Sequence, residues 1–155
     1  MNKQEYTEAF EKLKSYCAYQ ERCESEVLNK LNKTFLSQPE KEKLIGELKT
    51  QNFLDNVRFA EAFTSGKFKI KGWGKQKIRV GLKAKQLSEE LINNALDKLD
   101  FDEYSIRLKE IALKKWRLFG YKKDHNTRQK LFRFLYGKGY ESDLINEVLN
   151  GLQPD

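Results

Sequence analysis

Hydrophobic residues recur every three or four positions along most of the chain, and this spacing predicts α-helices rather than strands. Ser37 and Glu40 form a capping-box sequence, with Pro39 in the first turn of the helix that follows. The clearest apolar stripe consists of Tyr6, Phe10, Leu13 and Cys17. Further helix starts are predicted at Ser25, Asp55, Ser88, Asp102 and Ser142. Together these signals predict nine helices.

One stretch departs from helical periodicity. Ser65 and Gly66 predict the end of a helix, and residues 67–74 alternate lysines with apolar side chains around two glycines. We predict a basic loop over these residues, mobile or extended, before the next helix begins near Lys75.

A sequence repeat organises the helices. Residues 77–92 reappear 53 residues later as residues 130–145, with apolar positions that match one for one. The matched pairs are Ile78 with Leu131, Leu82 with Leu135, Leu87 with Tyr140, Leu91 with Leu144, and Ile92 with Ile145. Each copy is typical of a short basic helix, a tight link and a closing helix. Such a unit cannot bury its apolar face alone, so copies are expected to stack.

The repeat predicts an all-α fold of three tandem three-helix repeats, each resembling a helix-turn-helix, in an elongated array. The predicted boundaries are 1–52, 53–101 and 102–155, and the first repeat aligns only with an insertion around Pro39. Nine glycines and two prolines in 155 residues also favour helices over sheets. Arrays of this kind bind long partners more often than they enclose a substrate.

Charge is distributed in blocks that follow the repeat. Residues 66–86 contain eight basic side chains and no acidic one, and residues 107–138 contain eleven basic against two acidic. The closing helices are acidic, and the net charge of the chain is +7. Repeats stacked in register would align the basic blocks as a stripe that attracts a polyanion or an acidic protein surface.

The sequence lacks the signatures of several other classes. No apolar run approaches the roughly 20 residues that span a bilayer, and residues 1–5 lead into no signal segment. We therefore expect a cytoplasmic protein with no membrane partner, in which Cys17 and Cys23 are reduced and at least half-buried. His125 fits a surface linker residue. With no metal-ligand cluster, phosphate-binding glycine loop or catalytic set, we expect no metal, no cofactor and no enzymatic activity.

The middle of the chain resembles the RecX regulatory proteins. Their pattern is similar to residues 55–60 (Asp-Asn-Val-Arg-Phe-Ala), a basic link, residues 72–78 (Gly-Trp-Gly-Lys-Gln-Lys-Ile) with Leu82, and residues 91–96 (Leu-Ile-Asn-Asn-Ala-Leu). The match is strongest over 53–99, and the three-repeat plan extends the resemblance over nearly the whole chain.

The resemblance implies a curved array of three-helix modules that binds the RecA recombinase, mainly as its nucleoprotein filament on single-stranded DNA. It further implies inhibition of strand exchange, ATP hydrolysis and coprotease activity, and so a role in DNA repair and the SOS response. We expect a monomer, with single-stranded DNA as a further partner. Two departures affect the expected curvature: the insertion around Pro39, and Gln86–Leu87 at a turn where Gly139–Tyr140 keeps the family's glycine.

The candidate contact residues are mainly basic. Trp73 either stacks on a base or a partner's surface, or folds back onto its own repeat. Arg58 is either a surface contact or an ion pair with Asp55, whereas Phe63 and Trp116 are predicted to be packing residues. The predicted partner-binding or DNA-binding residues are Arg58, Lys67, Lys69, Lys71, Trp73, Lys75, Lys77, Arg79, Lys83, Lys114, Lys115, Arg117, Lys122, Lys123, Arg128, Lys130 and Arg133.

Two other functions stay open from the sequence alone. A general nucleic-acid-binding module without a RecA partner would bind DNA tightly and in a salt-sensitive way by itself. A hydrolase or nuclease with an unrecognised site would depend on a metal or a nucleotide, for which the sequence offers no ligand cluster. A RecA regulator instead predicts inhibition of RecA at low stoichiometry, with modest DNA affinity alone.

Overall fold

The computed structural model describes residues 3–154, and these residues form nine α-helices and no strand. The helices are α1 (Lys3–Tyr19), α2 (Glu24–Leu31), α3 (Gln38–Thr50), α4 (Asn56–Lys69), α5 (Lys75–Ala84), α6 (Glu89–Asp97), α7 (Phe101–Leu118), α8 (His125–Gly137) and α9 (Ser142–Asn150). The extensive helix contacts fall within consecutive groups of three: a first module (α1–α3), a second (α4–α6) and a third (α7–α9). The predicted all-α fold of three-helix repeats is confirmed.

The repeated apolar positions are buried in the same way in the second and third modules. Six of these side chains are at most 2% exposed: Ile78, Leu82, Ile92, Leu131, Leu135 and Ile145. The chain leaves α5 and α8 through left-handed backbone, with φ 64° at Gln86 and 101° at Gly139. The glutamine therefore adopts the turn conformation that glycine provides more easily in the third module.

Helix α4 is longer than the sequence predicts. It continues through Gly66 and ends at Lys69, so the predicted loop over 67–74 is wrong and only the turn of residues 70–74 lies outside a helix. Phe68 is 4% exposed, and its ring stacks 5.7 Å from that of Tyr104. Burying a phenylalanine contributes about 1.5–3 kcal/mol, which exceeds the roughly 1 kcal/mol that a glycine inside a helix costs.

Several helix starts are confirmed in detail. Ser37 Oγ accepts a hydrogen bond from the Glu40 backbone N–H (3.3 Å), and the Ser37 N–H donates to the Glu40 carboxylate (3.0 Å), which completes the predicted capping box. Asp55 caps α4 by accepting from two backbone N–H groups, and Ser88 caps α6. Each of these caps satisfies backbone donors that the first helical turn leaves unpaired.

Other helix starts are shifted by one or two residues. The N-caps are Cys23, Asp100 and Glu141, where the sequence predicts Ser25, Asp102 and Ser142. The Ser25 hydroxyl donates instead to the Lys85 carbonyl oxygen of the second module (2.7 Å), so a contact between modules takes the place of the expected cap. Helix α8 begins at His125, which is therefore an exposed first-turn residue and not part of a linker.

The hydrophobic side chains form two separate cores. The first module has its own core, in which Leu31, Leu44 and Leu48 are fully buried. The second and third modules share one continuous core, and Cys23 from the start of α2 is buried in it. Cys17 belongs to the first core; both thiols are free, and burial raises the pKa of Cys17.

Candidate functional site

The second and third modules meet along the turn that follows α4. The Gly74 N–H donates to the Lys138 carbonyl oxygen (2.8 Å), and the Gln76 N–H donates to the Gly139 carbonyl oxygen (2.9 Å). A Cβ atom added at Gly74 would lie 2.5 Å from both carbonyl atoms of Gly139. The two modules are therefore joined backbone to backbone, at a separation that only glycine allows at these positions.

Two buried tyrosines reinforce this junction. The Tyr140 hydroxyl donates to the Gly72 carbonyl oxygen (3.0 Å). The Tyr104 hydroxyl accepts from the Lys75 N–H (2.9 Å) and donates to the Glu141 carboxylate. Burial raises the pKa of both phenols above the ordinary value, so they stay protonated as hydrogen-bond donors at neutral pH.

Three cations from three helices converge beside this turn. Lys77 lies on α5, Arg107 on α7, and Lys138 is the C-cap of α8; we call them the junction cations. Arg107 Nη2 lies 3.5 Å from the Lys69 carbonyl oxygen, and Lys138 Nζ lies 3.1 Å from the Lys71 carbonyl oxygen. The last residue of α4 and the turn that follows it thus orient two of the three charged groups.

The junction is strongly basic. Removal from water, together with the charges of Lys77 and Arg107, lowers the pKa of Lys138 below its ordinary value. Among residues 3–154, Glu110 is the one carboxylate paired with a junction cation, and it lies 3.9 Å from Arg107 Nη1. Within that range, no carboxylate lies within 4 Å of the ammonium of Lys77 or Lys138.

The predicted basic residues of the second module divide into paired and unpaired sets. Arg79 and Lys83 on α5 share the carboxylate of Glu89, at 3.2 and 3.0 Å. No ion pair within residues 3–154 involves the others, which are Lys67, Lys69, Lys71, Lys75 and Lys77. The unpaired set surrounds the end of α4 and the start of α5, next to the junction cations.

Trp73 folds back onto its own module. Its half-buried ring meets the ring of Phe63 edge-on, with centroids 6.4 Å apart. The ammonium groups of Lys67 and Lys77 lie 4.9 and 4.7 Å from the Trp73 centroid. Of the two alternatives, packing onto the second module describes this ring, and its remaining exposed part is bordered by cations.

Arg58 forms an ion pair, but not with the predicted partner. Its Nε lies 2.7 Å from a carboxylate oxygen of Glu21, and its Nη1 donates to the Asn52 side chain (2.9 Å). The hydrogen bond to Glu21 raises the pKa of Arg58. Asp55 is occupied as the N-cap of α4, so the Arg58–Asp55 pair, one of the two alternatives for Arg58, gives way to a link to the first module.

The predicted basic residues of the third module lie on two helices and their link. Lys115 Nζ lies 4.6 Å from the ring centroid of Phe134 and 5.5 Å from that of Phe119. Trp116 is 3% exposed, which confirms it as a packing residue. Lys114, Lys115 and Arg117 lie on α7, Lys122 and Lys123 in the link, and Arg128, Lys130 and Arg133 on α8. The rings of Phe119 and Phe134 lie among three cations, Lys115, Lys130 and Lys138.

Two members of the junction were not among the predicted contact residues. Arg107 and Lys138 are the first and last basic residues of the block over 107–138, and the charge count included both. In the repeat, Lys138 occupies the position of Lys85, which pairs with Glu26 in the first module. The match between Lys138 and Lys85 therefore indicates that Lys138 faces the preceding module, as Lys85 does.

Two further properties concern metal binding and membrane crossing. Among residues 3–154, no group of three or more His, Cys, Asp or Glu side chains could hold a metal ion. Within the same residues, no helix has the length and apolar character needed to cross a membrane.

The fold defines an all-α protein built from tandem three-helix modules. A family model described as the second three-helix domain of RecX matches residues 55–96, and one described as the third three-helix domain matches residues 102–149. The chain is 31% identical over 130 residues to the regulatory protein RecX of Chlorobium phaeobacteroides (strain BS1), covering 84% of this chain and 83% of that protein. The chain therefore belongs to the RecX family of regulatory proteins.

Other comparisons agree with this assignment. The chain is 29% identical over 133 residues to regulatory protein RecX of Clostridium perfringens (strain SM101 / Type A), covering 84% of this chain but only 62% of that longer relative. The crystal structure of RecX from Lactobacillus salivarius superimposes with a TM-score of 0.86 at 18% identity, covering 95% of this chain and 96% of that one. A crystal structure of regulatory protein RecX gives a TM-score of 0.82 at 23% identity, covering 94% and 72%.

Proposed function

We propose that this protein binds the RecA recombinase, chiefly as its filament on single-stranded DNA, and inhibits strand exchange, ATP hydrolysis and coprotease activity. In this role it would act in the cytoplasm as a monomer, within DNA repair and the SOS response. The observation that carries the proposal is membership of the RecX family, whose models match residues 55–96 and 102–149. The unpaired basic surface beside the junction supports it, because a nucleoprotein filament is a polyanion.

The DNA-dependent ATP hydrolysis of RecA tests this proposal. The protein is titrated into RecA on single-stranded DNA, from far below one copy per RecA to an excess. We expect turnover to fall at sub-stoichiometric amounts, because a regulator that lodges in or caps a filament affects many subunits. An unchanged rate in excess protein would contradict the proposal.

Charge reversal on the unpaired set locates the contact. Lys69→Glu with Lys71→Glu, both exposed in the second module, is expected to weaken inhibition. Lys12→Glu with Lys33→Glu, both exposed in the first module, makes the same four-unit charge change and serves as the control. Equal inhibition by both variants, with unchanged circular dichroism, would remove this surface from the contact.

A general nucleic-acid-binding module is the second candidate. It is favoured by the cations that lie over the aromatic rings of Trp73 and Phe134, since single strands are bound by basic grooves with stacking rings. This alternative predicts tight, salt-dependent binding of single-stranded DNA with no effect on RecA turnover at low stoichiometry. The ATP hydrolysis titration separates the two candidates.

A further inference from the structure

The junction cations carry more positive charge than the neighbouring groups of the protein neutralise. Arg107 approaches the last carbonyl of α4, a helix end that carries the equivalent of about half a negative charge, and Lys138 approaches the Lys71 carbonyl in the turn that follows. Glu110 adds one negative charge, at the long distance of 3.9 Å from Arg107. The three junction cations, with the exposed Lys69 and Lys71 beside them, outweigh this negative charge.

The setting of Lys138 favours an anion. Its ammonium is half-withdrawn from water, and the charges it faces belong to Lys77 and Arg107. Folding therefore brings like charges together at a cost, which an anion placed between them would offset. Arg107 also keeps donor capacity, because its Nη2 lies 3.5 Å from the Lys69 carbonyl oxygen and its Nη1 lies 3.9 Å from Glu110, both at or beyond the limit of a hydrogen bond.

Aromatic rings on both sides indicate which anion fits. Lys77 Nζ lies 4.7 Å from the ring centroid of Trp73, and Lys138 Nζ lies 5.9 Å from that of Phe134. Both rings are half-buried and keep part of their surface exposed. Cations for a sugar–phosphate backbone, with rings beside them for its bases, are the arrangement that binds single strands. An acidic protein surface would pair with the cations but does not require rings beside them, whereas the bases of a single strand do.

We propose that the junction cations bind phosphate groups of a single-stranded nucleic acid, with Trp73 and Phe134 placed beside its bases. The guanidinium of Arg107 would take two oxygens of one phosphate, and the two lysines would neutralise neighbouring phosphates. Such contacts fix position without reading sequence. The inference deepens the proposed function and rests on it, since it assigns this junction to the DNA strand of the filament and not to an acidic surface of RecA.

Binding of a fluorescent oligothymidylate, followed by anisotropy at several salt concentrations, tests the site. The triple variant Lys77→Gln, Arg107→Gln, Lys138→Gln is compared with the matched triple variant Lys12→Gln, Lys33→Gln, Lys109→Gln, which removes the same charge at exposed positions elsewhere. We expect the junction variant to lose about tenfold or more in affinity at low salt. The slope of log affinity against log salt should shrink by about 2, since each contact contributes roughly 0.7.

A single substitution separates a loss of binding from a loss of folding. The ammonium of Lys77 makes no ion pair within residues 3–154, and its contact with the protein there is with the Trp73 ring at 4.7 Å. Lys77→Gln should therefore lower the free energy of unfolding by under about 1 kcal/mol and reduce the salt slope by about 0.7. Equal losses in the junction and matched variants would overturn the site. So would full displacement of the oligonucleotide by inorganic phosphate at an equal concentration of phosphate groups, because the linked strand and the rings would then contribute nothing to binding.

RecA turnover separates this inference from the proposed function. If the junction variant keeps its DNA affinity but no longer inhibits RecA, the cations contact protein carboxylates; the inference fails and the proposed function stands. If the DNA affinity depends on the junction while the unaltered protein has no effect on RecA, the phosphate site stands and the proposed function fails.

Discussion

The two junctions between modules are built differently. The second and third modules share a core, and their backbones are hydrogen-bonded to each other around Gly74 and Gly139. The first module has its own core and meets the second through the ion pairs Arg58–Glu21 and Lys85–Glu26 and through the hydrogen bond from the Ser25 hydroxyl to the Lys85 carbonyl oxygen. Apart from the buried Cys23, apolar burial contributes little to the first junction. The second junction is therefore held by a shared core and close backbone contacts, whereas the first is held mainly by polar contacts around one buried thiol.

This difference separates stability from recognition along one chain. A junction held by buried backbone and tyrosine contacts keeps the junction cations in one arrangement, as a preorganised binding site requires. A junction held mainly by partly exposed ion pairs and hydrogen bonds is more sensitive to salt, and it resists a change in the orientation of the first module less strongly. The following predictions test this contrast, from the largest expected effect to the smallest.

The closest contact of the second junction gives the largest effect. Gly74→Ala would place a Cβ 2.5 Å from the backbone of Gly139, and no rotamer change relieves a contact with backbone. We expect the free energy of unfolding to fall by about 3 kcal/mol, measured by urea denaturation. Gly66→Ala is the control, since its Cβ meets nothing within 4 Å and alanine favours the helix by about 1 kcal/mol. A tolerated Gly74→Ala would mean that the junction is not close-packed.

The buried hydroxyl of Tyr104 gives the next effect. Tyr104→Phe removes the acceptor of the Lys75 N–H and the donor to Glu141 while keeping the ring in the core. We expect a loss of about 2 kcal/mol in the free energy of unfolding, because partners are left unsatisfied in a buried site. Tyr136→Phe, at a side chain 52% exposed, should change stability by under about 0.5 kcal/mol. Equal effects of the two variants would contradict the prediction.

Alkaline pH should weaken the second junction through its tyrosines. Burial raises the pKa of Tyr140 above that of the unfolded chain, near 10, so its contribution is complete below pH 10 and is lost as the pH rises above it. The loss reaches at most about 1.4 kcal/mol per pH unit for one phenol. Urea unfolding at pH 9, 10 and 11 should show a shallower decline in Tyr140→Phe than in the unaltered protein. An identical decline would place the alkaline sensitivity elsewhere.

The first module offers a comparison for this pH effect. Burial raises the pKa of Tyr6 to about 12, so Tyr6→Phe should also make the decline shallower. Hydrogen exchange then assigns each loss to a module. At alkaline pH, we expect amides of α1–α3 to exchange more slowly in Tyr6→Phe than in the unaltered protein. In Tyr140→Phe, we expect slower exchange of amides in the second and third modules.

The repeat in the sequence was sufficient to predict the architecture. Apolar residues at helical spacing, matched over residues 77–92 and 130–145, indicated which side chains would be buried. The end of α4 was not predictable by the same rule, because Gly66 is a local signal that the burial of Phe68 overrides. Local propensity contributes about 1 kcal/mol, and tertiary packing contributes more.

The junction was harder to predict than the fold. Charge blocks identified basic surfaces, but they could not select Arg107 and Lys138, since convergence depends on how two modules are oriented. Arg58 illustrates the same limit. Its partner Glu21 is 37 positions away in another module, whereas the sequence suggested the neighbouring Asp55. The partners of side chains that join modules depend on tertiary geometry, about which helical periodicity carries no information.

The smallest expected effect is at the first junction and gives the sharpest test of the contrast. The Arg58–Glu21 pair has a short distance of 2.7 Å, yet the two side chains are 37% and 32% exposed. Water and salt screen such a pair, so Arg58→Gln and Glu21→Gln should each cost under about 1 kcal/mol, with a coupling of about 0.5 kcal/mol in a double-mutant cycle. Urea unfolding in low salt and in 1 M salt should show that coupling disappear as the charges are screened. A salt-independent coupling above about 2 kcal/mol would instead mean that the first module is held as firmly as the third, and that flexibility at this junction has no basis.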